Sequence, residues 1–98
     1  MLYTLGEITI GANSVVSQKC YLCTGSHDFM SPHFDITASP VVIGEKCWLA
    51  TDVFVAPGVS VGDGTVVGAR SSVFKSIPAN KICRGNPAVV IRERVETD

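Results

Sequence analysis

The stretch from Ile43 to Pro78 decides the fold, because it divides evenly into IGEKCW, LATDVF, VAPGVS, VGDGTV, VGARSS and VFKSIP. Each unit opens with an aliphatic residue, and all but the last continue with Gly or Ala. The units IGANSV, VSQKCY and LCTGSH keep the same six-residue period over residues 10–27. A fixed period of this kind indicates a repeat architecture, in which each unit buries its apolar face against its neighbours.

Residue types within the unit predict a solenoid with three sides. The first and fifth positions are aliphatic or small, so we expect them to face inward, whereas polar residues crowd positions three and four. The second position is mostly small, which predicts that the chain turns its corner there. Three sides of six residues give coils of about 18 residues that stack at the ~4.8 Å strand spacing. We therefore expect Ile43 to lie on Val61, and Leu49 on Val67.

An interruption divides the repeat after its first complete coil. Residues 28–36 break the period, and we expect them to form a loop between coils, followed by TASPVV (residues 37–42) as a degenerate side. With that loop length, Cys20 and Cys47 would stack on adjacent coils.

Beyond the repeat, residues 79–98 are expected to cap the open end of the solenoid. Asn86–Pro87 favours a helix start, and the apolar run from Val89 favours a strand, so both structures remain possible. Residues 1–98 are thus predicted to form one domain. The repeat begins almost at the first residue, which we interpret as a shortened chain or a fragment.

Composition excludes several classes of protein. The chain has 98 residues, of which 46% are hydrophobic, so it is not a disordered tail. A net charge of -1 argues against general binding to nucleic acid, and no apolar run approaches the ~20 residues of a membrane span. No secretory signal is visible, so a cytoplasmic location is expected. A chain this small has little core to stabilise a monomer, which favours self-association.

Charge is unevenly distributed along the chain. Between residues 70 and 94, Glu93 is the only acidic residue among six basic ones, so one end of the protein is predicted to be locally cationic. That end is either a solvated face or a binding site for phosphate groups. The six basic residues are Arg70, Lys75, Lys81, Arg84, Arg92 and Arg94.

Tyr21, Trp48 and Phe54 occupy outward sixth positions, so they are expected either at a subunit interface or in corner packing. Cys20, Cys23 and Cys47 lie where the repeat requires small residues, and we expect structural, reduced thiols.

His27 is the better candidate for a general base among the two histidines. It occupies an outward sixth position directly before the interruption, where a substrate could approach. The alternative is a surface histidine without a function. Two histidines are too few for the three-imidazole zinc site of a carbonic anhydrase, and we expect no metal.

Three segments carry a family resemblance: CYLCTGSHDF, SPVVIGEKCWLA, and VFVAPGVS continuing through to CRGNPA. Together they resemble the hexapeptide-repeat acyltransferases, and in particular the sugar O-acetyltransferases of exopolysaccharide synthesis such as the colanic acid acetyltransferases. The resemblance implies an all-β, left-handed parallel β-helix, although parallel crossover connections are generally right-handed. It also implies an acetyl-CoA-dependent O-acetyltransferase that acts on a sugar acceptor. The expected assembly is a homotrimer with each active site between two subunits.

Site residues follow from the same resemblance. His27 is expected to take the proton of the acceptor hydroxyl as that hydroxyl attacks the thioester of acetyl-CoA. The backbone of the Ala50–Thr51 corner is expected to donate a hydrogen bond to the resulting oxyanion. Asp28 and Trp48 are assigned to the acceptor side. For the donor, the resemblance implies pantetheine against Ala50, Gly68 and Ala69, and phosphates against Arg70, Lys75, Arg84 and Arg92.

A second hypothesis is a catalytically silent trimeric scaffold or an inactive fragment. It is motivated by the absence of coils before Leu5 and by Val89, which stands where the family usually has Lys or Arg.

Overall fold

A computed structural model describes residues 2–3, 6–27 and 36–95 of the chain, and every regular element in these ranges is a β-strand. The strands are β1 (Leu2–Tyr3), β2 (Ile8–Ile10), β3 (Val15–Val16), β4 (Tyr21–Cys23), β5 (Gly25–His27), β6 (Ile36–Ala38), β7 (Val41–Ile43), β8 (Trp48–Leu49), β9 (Phe54–Val55), β10 (Ser60–Val61), β11 (Val66–Val67), β12 (Ser72–Val73), β13 (Lys81–Gly85) and β14 (Ala88–Glu93). No helix in the described ranges is long and apolar enough to span a membrane.

The strands wind into a three-sided prism whose sides are parallel sheets. Side one contains β1, β4, β9 and β12; side two contains β2, β7 and β10; side three contains β3, β8, β11, β13 and β14. Val61 lies in register with Ile43, and Val67 with Leu49, so the predicted coil of 18 residues is confirmed.

First and fifth positions of the repeat form the core, as predicted. The first-position residues from Leu22 through Val73 are at most 1% exposed, and the fifth positions are buried from Cys20 onward wherever the structure describes their burial. The first coil differs: Ile10 is 42% exposed, although it is also a first-position residue, because β2 lies at the edge of side two and packs on one neighbour only.

Corners lie at the third and fourth positions, so the prediction that the chain turns at the second position is wrong. Each fourth-position residue that ends a two-residue turn has a positive φ, which residues other than glycine rarely adopt. These residues are Asn13, Lys19, Lys46, Asp52, Gly58, Gly64 and Arg70.

Second positions are small for a different reason, namely the close approach of stacked coils. A Cβ atom added to Gly62 would lie 2.4 Å from the backbone nitrogen of Ala79. A Cβ atom on Gly11 would lie 2.6 Å from the carbonyl carbon of Gly44. We call this edge, between sides two and three, the glycine corner; it comprises the turns at residues 12–13, 45–46, 63–64 and 79–80.

Fifth-position hydroxyls and thiols donate hydrogen bonds to second-position carbonyls of the adjacent coil. The Sγ atoms of Cys20 and Cys47 lie 3.1 Å from the carbonyl oxygens of Ala50 and Gly62. Ser14 Oγ makes the same contact with Gly44 at 2.6 Å. No disulfide joins the cysteines, all four of which lie in the described ranges, and this recurring contact explains why Cys20 and Cys47 suit the fifth position of the repeat.

The insertion is longer than predicted, and only the last two residues of TASPVV lie in a side of the prism, as part of β7. Ile10 pairs with Ile43, a separation of 33 residues instead of 18, so the coil carries 15 extra residues. β5 leaves the prism and pairs antiparallel with β6, which contains the first residues of TASPVV. The prediction that Cys20 stacks on Cys47 is consequently wrong, since the neighbour of Cys20 in the ladder is Val53. Residues 28–35, which include Asp28 and His33, lie outside the described ranges.

The C-terminal segment forms a strand and not a helix. β13 continues side three in parallel with β11, and β14 returns antiparallel to β13 at the edge of that side. The hairpin therefore extends one side of the prism. Val89, Val90 and Ile91 on β14 are all exposed.

Candidate active site

The outer face of side three carries a strip of small residues that ends in arginines. Because Leu49 and Val67 point inward, the residues that follow them, Ala50 and Gly68, face outward on adjacent coils. Arg84 comes next in this column: a Cβ atom on Gly68 would lie 3.1 Å from the Arg84 Cβ. Arg92 lies on the neighbouring strand, in register with Ile82. The strip therefore leads from Ala50 to two exposed cations.

A ridge of larger side chains borders this strip. Val15, Trp48 and Val66 are in register on β3, β8 and β11, and Trp48 is 52% exposed. The Trp48 indole donates a hydrogen bond of 3.4 Å to Ser17 Oγ, which fixes the ring beside Ala50. The structure thus brings Trp48 next to the predicted donor residues.

The other border is the edge between sides three and one, with turns at residues 18–19, 51–52 and 69–70, which we call the arginine corner. The Ala50 N–H donates to Val67 O at 3.0 Å, and the Arg70 N–H donates to Thr51 O at 2.9 Å. Within the described ranges, the N–H of Thr51 has no hydrogen-bond acceptor. Of the two predicted oxyanion donors, Thr51 therefore has the N–H that is available.

Asn86 is a contributor to this corner that the sequence analysis missed. Its side-chain amide donates to Arg70 O at 3.0 Å and accepts a hydrogen bond from Ser72 Oγ. In the sequence, Asn86 was named only as part of a candidate helix start with Pro87, without a role in the site.

The six basic residues of the C-terminal region do not form one cationic patch. Arg70, Arg84 and Arg92 lie on side three or at the arginine corner. Lys75 follows β12 at the edge between sides one and two, where the insertion also leaves the prism. We call this edge the insertion corner. Lys81 forms an ion pair with Glu93, and Arg94 donates to the carbonyls of Lys46 and Gly64 at the glycine corner.

The backbone of His27 lies in β5, opposite Ile36, on the arm that leaves the insertion corner. Side one separates this corner from the arginine corner, and its chain path from Asp52 to Pro57 spans about 16 Å at ~3.3 Å per residue. Within one chain the predicted general base and the predicted oxyanion donor therefore belong to different edges of the prism.

Aromatic rings cover the outer face of side one, between these two edges. Tyr21 and Phe54 are stacked with ring centroids 5.8 Å apart, and Phe54 and Phe74 lie 5.9 Å apart. Phe74 is still 56% exposed. Tyr21 and Phe54 thus pack at least partly on each other, while Trp48 lies on side three.

Among the described residues, Cys83 and Glu93 have pKa values displaced from their usual range. Burial raises the pKa of the Cys83 thiol to about 11, so this cysteine is a poor nucleophile near neutral pH. A hydrogen bond and the positive charge of Lys81 lower the pKa of Glu93. Among the described residues, no three His, Cys, Asp or Glu side chains are grouped as metal ligands.

Comparison with known proteins places this arrangement in a family. Residues 40–75 match the model of the family described as bacterial transferase hexapeptide (six repeats). The chain is 84% identical over 97 residues to the Escherichia coli (strain K12) protein named "Putative colanic acid biosynthesis acetyltransferase WcaF", covering 99% of this chain and 53% of that protein. It is 34% identical over 94 residues to the galactoside O-acetyltransferase of the same organism, covering 93% and 46%. The chain therefore spans about half the length of these relatives.

Solved structures show the same likeness. A hexapeptide-repeat-containing acetyltransferase of Vibrio cholerae, complexed with acetyl coenzyme A, superposes with a TM-score of 0.90 at 26% identity, covering 97% of this chain and 54% of that one. A galactoside acetyltransferase in complex with coenzyme A gives 0.88 at 32% identity, covering 94% and 48%. The predicted left-handed winding is confirmed by this likeness, since a prism of opposite hand would not superpose. Residues 40–75 thus carry the hexapeptide repeat of the bacterial transferases, and the chain has the left-handed parallel β-helix fold of these acetyltransferases.

Proposed function

We propose that the protein is an acetyl-CoA-dependent O-acetyltransferase that acts on a sugar hydroxyl in exopolysaccharide synthesis, as a homotrimer. The observation that carries the proposal is the strip from Ala50 through Gly68 to Arg84 and Arg92 on side three. Small residues leave room for a narrow pantetheine chain, and guanidinium groups suit phosphates through paired N–H donors.

Chemistry at the thioester end follows from the arginine corner. The N–H of Thr51, which has no acceptor within the described ranges, would donate to the oxyanion that forms when the acceptor hydroxyl attacks the thioester carbon. His27 would take the proton of that hydroxyl. The bond between the acetyl carbon and sulfur would then break, so that CoA leaves as a thiolate and the acetyl group stays on the acceptor oxygen. Trp48, 52% exposed beside Ala50, would contact the acceptor together with Asp28.

A sugar acceptor is supported by what the relatives are named for. The 84% identical relative is named for colanic acid biosynthesis, and another relative for a galactoside. The expected cytoplasmic location stays a prediction.

The proposed site lies between two chains. His27 and Lys75 belong to the insertion corner, whereas Thr51, Arg70 and Arg84 belong to the arginine corner or its neighbouring strip. The described part of a single chain also encloses no pocket. A ring of three chains joins the insertion corner of each to the arginine corner of the next, which completes three equivalent sites.

In such a ring the aromatic face of side one turns towards the threefold axis, because it lies between the two corners that meet neighbours. Burial of Phe54 and Phe74 there would supply the apolar surface that stabilises the trimer.

The first test is calorimetric titration of the purified protein with CoA, alongside its mass in solution. Micromolar binding to a trimer, lost in a Lys75→Ala/Arg84→Ala variant, is expected. A well-assembled trimer that does not bind CoA would favour the silent scaffold instead.

A mixing experiment tests the division of the site between chains. His27→Ala should lower acetyl transfer from acetyl-CoA to a galactoside by orders of magnitude, and Arg84→Ala should weaken donor binding. When the two variants are unfolded, mixed equally and reassembled, about a quarter of the sites receive both intact halves. Activity should recover to about that fraction. Recovery no greater than the mean of the two variants, despite mixed trimers, would contradict a shared site.

A further inference from the structure

The turn between β13 and β14 is fastened to the arginine corner by three hydrogen bonds. The Gly85 N–H donates to Ser71 Oγ at 3.0 Å, deep against the core. The Asn86 Nδ2 donates to Arg70 O at 3.0 Å, and Asn86 Oδ1 accepts from Ser72 Oγ. Asn86 therefore uses both ends of its amide on the corner that contains Arg70.

Arg70 is held in an unfavourable backbone conformation at this point. Its φ is 61°, in the left-handed region, where side chains with a Cβ are disfavoured. Its N–H is bound to Thr51 O in the coil below, and its carbonyl is bound by Asn86 in the turn above. Both peptide groups flanking Arg70 are thus fixed, which sets the direction in which its side chain leaves the corner.

The Arg70 guanidinium itself is uncommitted. The side chain is exposed, and among the described residues it makes no hydrogen bond or ion pair. It projects from the edge of the strip whose column ends at Arg84. A fixed backbone that presents an exposed cation at the border of the strip leading to Arg84 suits the binding of an anion.

We infer that Asn86 is a positioning residue for the donor: by binding the Arg70 carbonyl it fixes the peptide that follows Arg70, so that the guanidinium meets the phosphates of CoA. This inference rests on the proposed function. Asn86 acts through Arg70, and it need not touch the donor itself.

A double-mutant cycle on the full chain tests the inference, with the dissociation constant of CoA measured by calorimetry. Asn86→Ala should weaken CoA binding about five- to tenfold, the usual effect of losing one hydrogen bond, here between Arg70 and a phosphate of CoA. Arg70→Gly should weaken it at least as much, since the charge is gone. The double variant should bind as Arg70→Gly alone does, because glycine adopts the left-handed conformation unaided and no charge remains to be placed.

Salt dependence provides a readout that a purely structural role would not change. The dissociation constant of the wild type should rise with ionic strength more steeply than that of Asn86→Ala, because screening acts on the Arg70 charge. Independent, multiplicative effects of the two substitutions, or an unchanged salt dependence, would overturn the inference.

Asn80→Ala is the control, because it truncates another exposed asparagine at a turn, at the glycine corner and away from Arg70. It should leave CoA affinity unchanged. Should Asn86→Ala fail to fold, Ser72→Ala replaces it: the loss of the hydroxyl that orients the amide should weaken CoA binding about two- to threefold, and unchanged affinity would refute the role. A wild type that does not bind CoA contradicts the proposed function, whereas a binding wild type with unaffected variants contradicts only this inference.

Discussion

Replacement of Gly62 by Ala tests why the second position of the repeat must be small. The added Cβ would lie 2.4 Å from the Ala79 nitrogen and 2.7 Å from the Ala79 Cα, whereas ordinary contacts begin at 3.4 Å. Both atoms belong to the backbone of the next coil, so no side-chain rotation can relieve the clash. To bring the 2.4 Å distance up to the 3.4 Å limit, the coils must separate locally by about 1 Å.

The magnitude follows from what that separation breaks. The Gly62 N–H donates to Ile77 O at 2.8 Å, and a further ~1 Å takes this pair beyond hydrogen-bond range. Overpacking costs about 1–3 kcal/mol and the lost bond about 1 kcal/mol, so we expect about 3 kcal/mol of destabilisation. In a domain of this size that lowers the Tm by about 12–24 °C.

Gly58→Ala is the control that separates close approach from backbone conformation. Gly58 has a φ of 79°, but an added Cβ would meet Ser39 Cβ only at 3.5 Å. It should therefore cost about 1–2 kcal/mol, for conformational strain alone. Thermal unfolding by circular dichroism, at one protein concentration, compares the two variants. If Gly58→Ala proves the more destabilising, turn conformation and not coil stacking governs the glycines, and the reasoning fails.

Three further predictions concern the described contacts. Arg94→Ala removes hydrogen bonds of 3.1 and 2.9 Å to the carbonyls of Lys46 and Gly64 and should destabilise the protein by about 2 kcal/mol in denaturant unfolding. Arg94→Lys should recover part of this stability. An unchanged unfolding midpoint for Arg94→Ala would refute the contact. Because burial raises the pKa of Cys83 from 9.0 to about 11, its neutral thiol favours the folded state fully below about pH 9, and that contribution is lost as the pH rises towards 11. Between pH 9 and pH 11 the free energy of unfolding should therefore fall less steeply in Cys83→Val than in the wild type. Parallel curves for the two proteins would contradict the raised pKa of Cys83. Lys19→Gly should raise the Tm by a few degrees, since Lys19 has a φ of 62° at an exposed turn, and a lower Tm would contradict strain there.

The repeat could be predicted from the sequence because its physical basis is periodic. Ile43 on Val61 and Leu49 on Val67 follow from the period alone, since every side of the prism needs one inward residue at the same place. The length of the insertion could not be predicted from the period, because the residues near Thr37 and Val41 fit both a side of the prism and an arm that leaves it. The antiparallel pairing of β5 with β6 and the register of Ile10 with Ile43 distinguish the two.

The grouping of the residues proposed for the donor was likewise expected in part, from the family resemblance. Ala50, Gly68 and Arg84 were expected together, and the structure places them in one column on side three. Asn86 was missed as a contributor because its role depends on the carbonyl of Arg70, 16 residues earlier, and no local pattern records such a contact.

By itself, then, the sequence determined the period, the inward positions and the three-sided coil, because burial of one residue type at fixed spacing leaves few alternatives. Tertiary structure decided how closely the coils approach at Gly62, where the 15 extra residues leave the prism, and that His27 and Thr51 lie at different edges. These features depend on contacts between residues far apart in the chain, and their energies are set by backbone geometry that residue types alone do not specify.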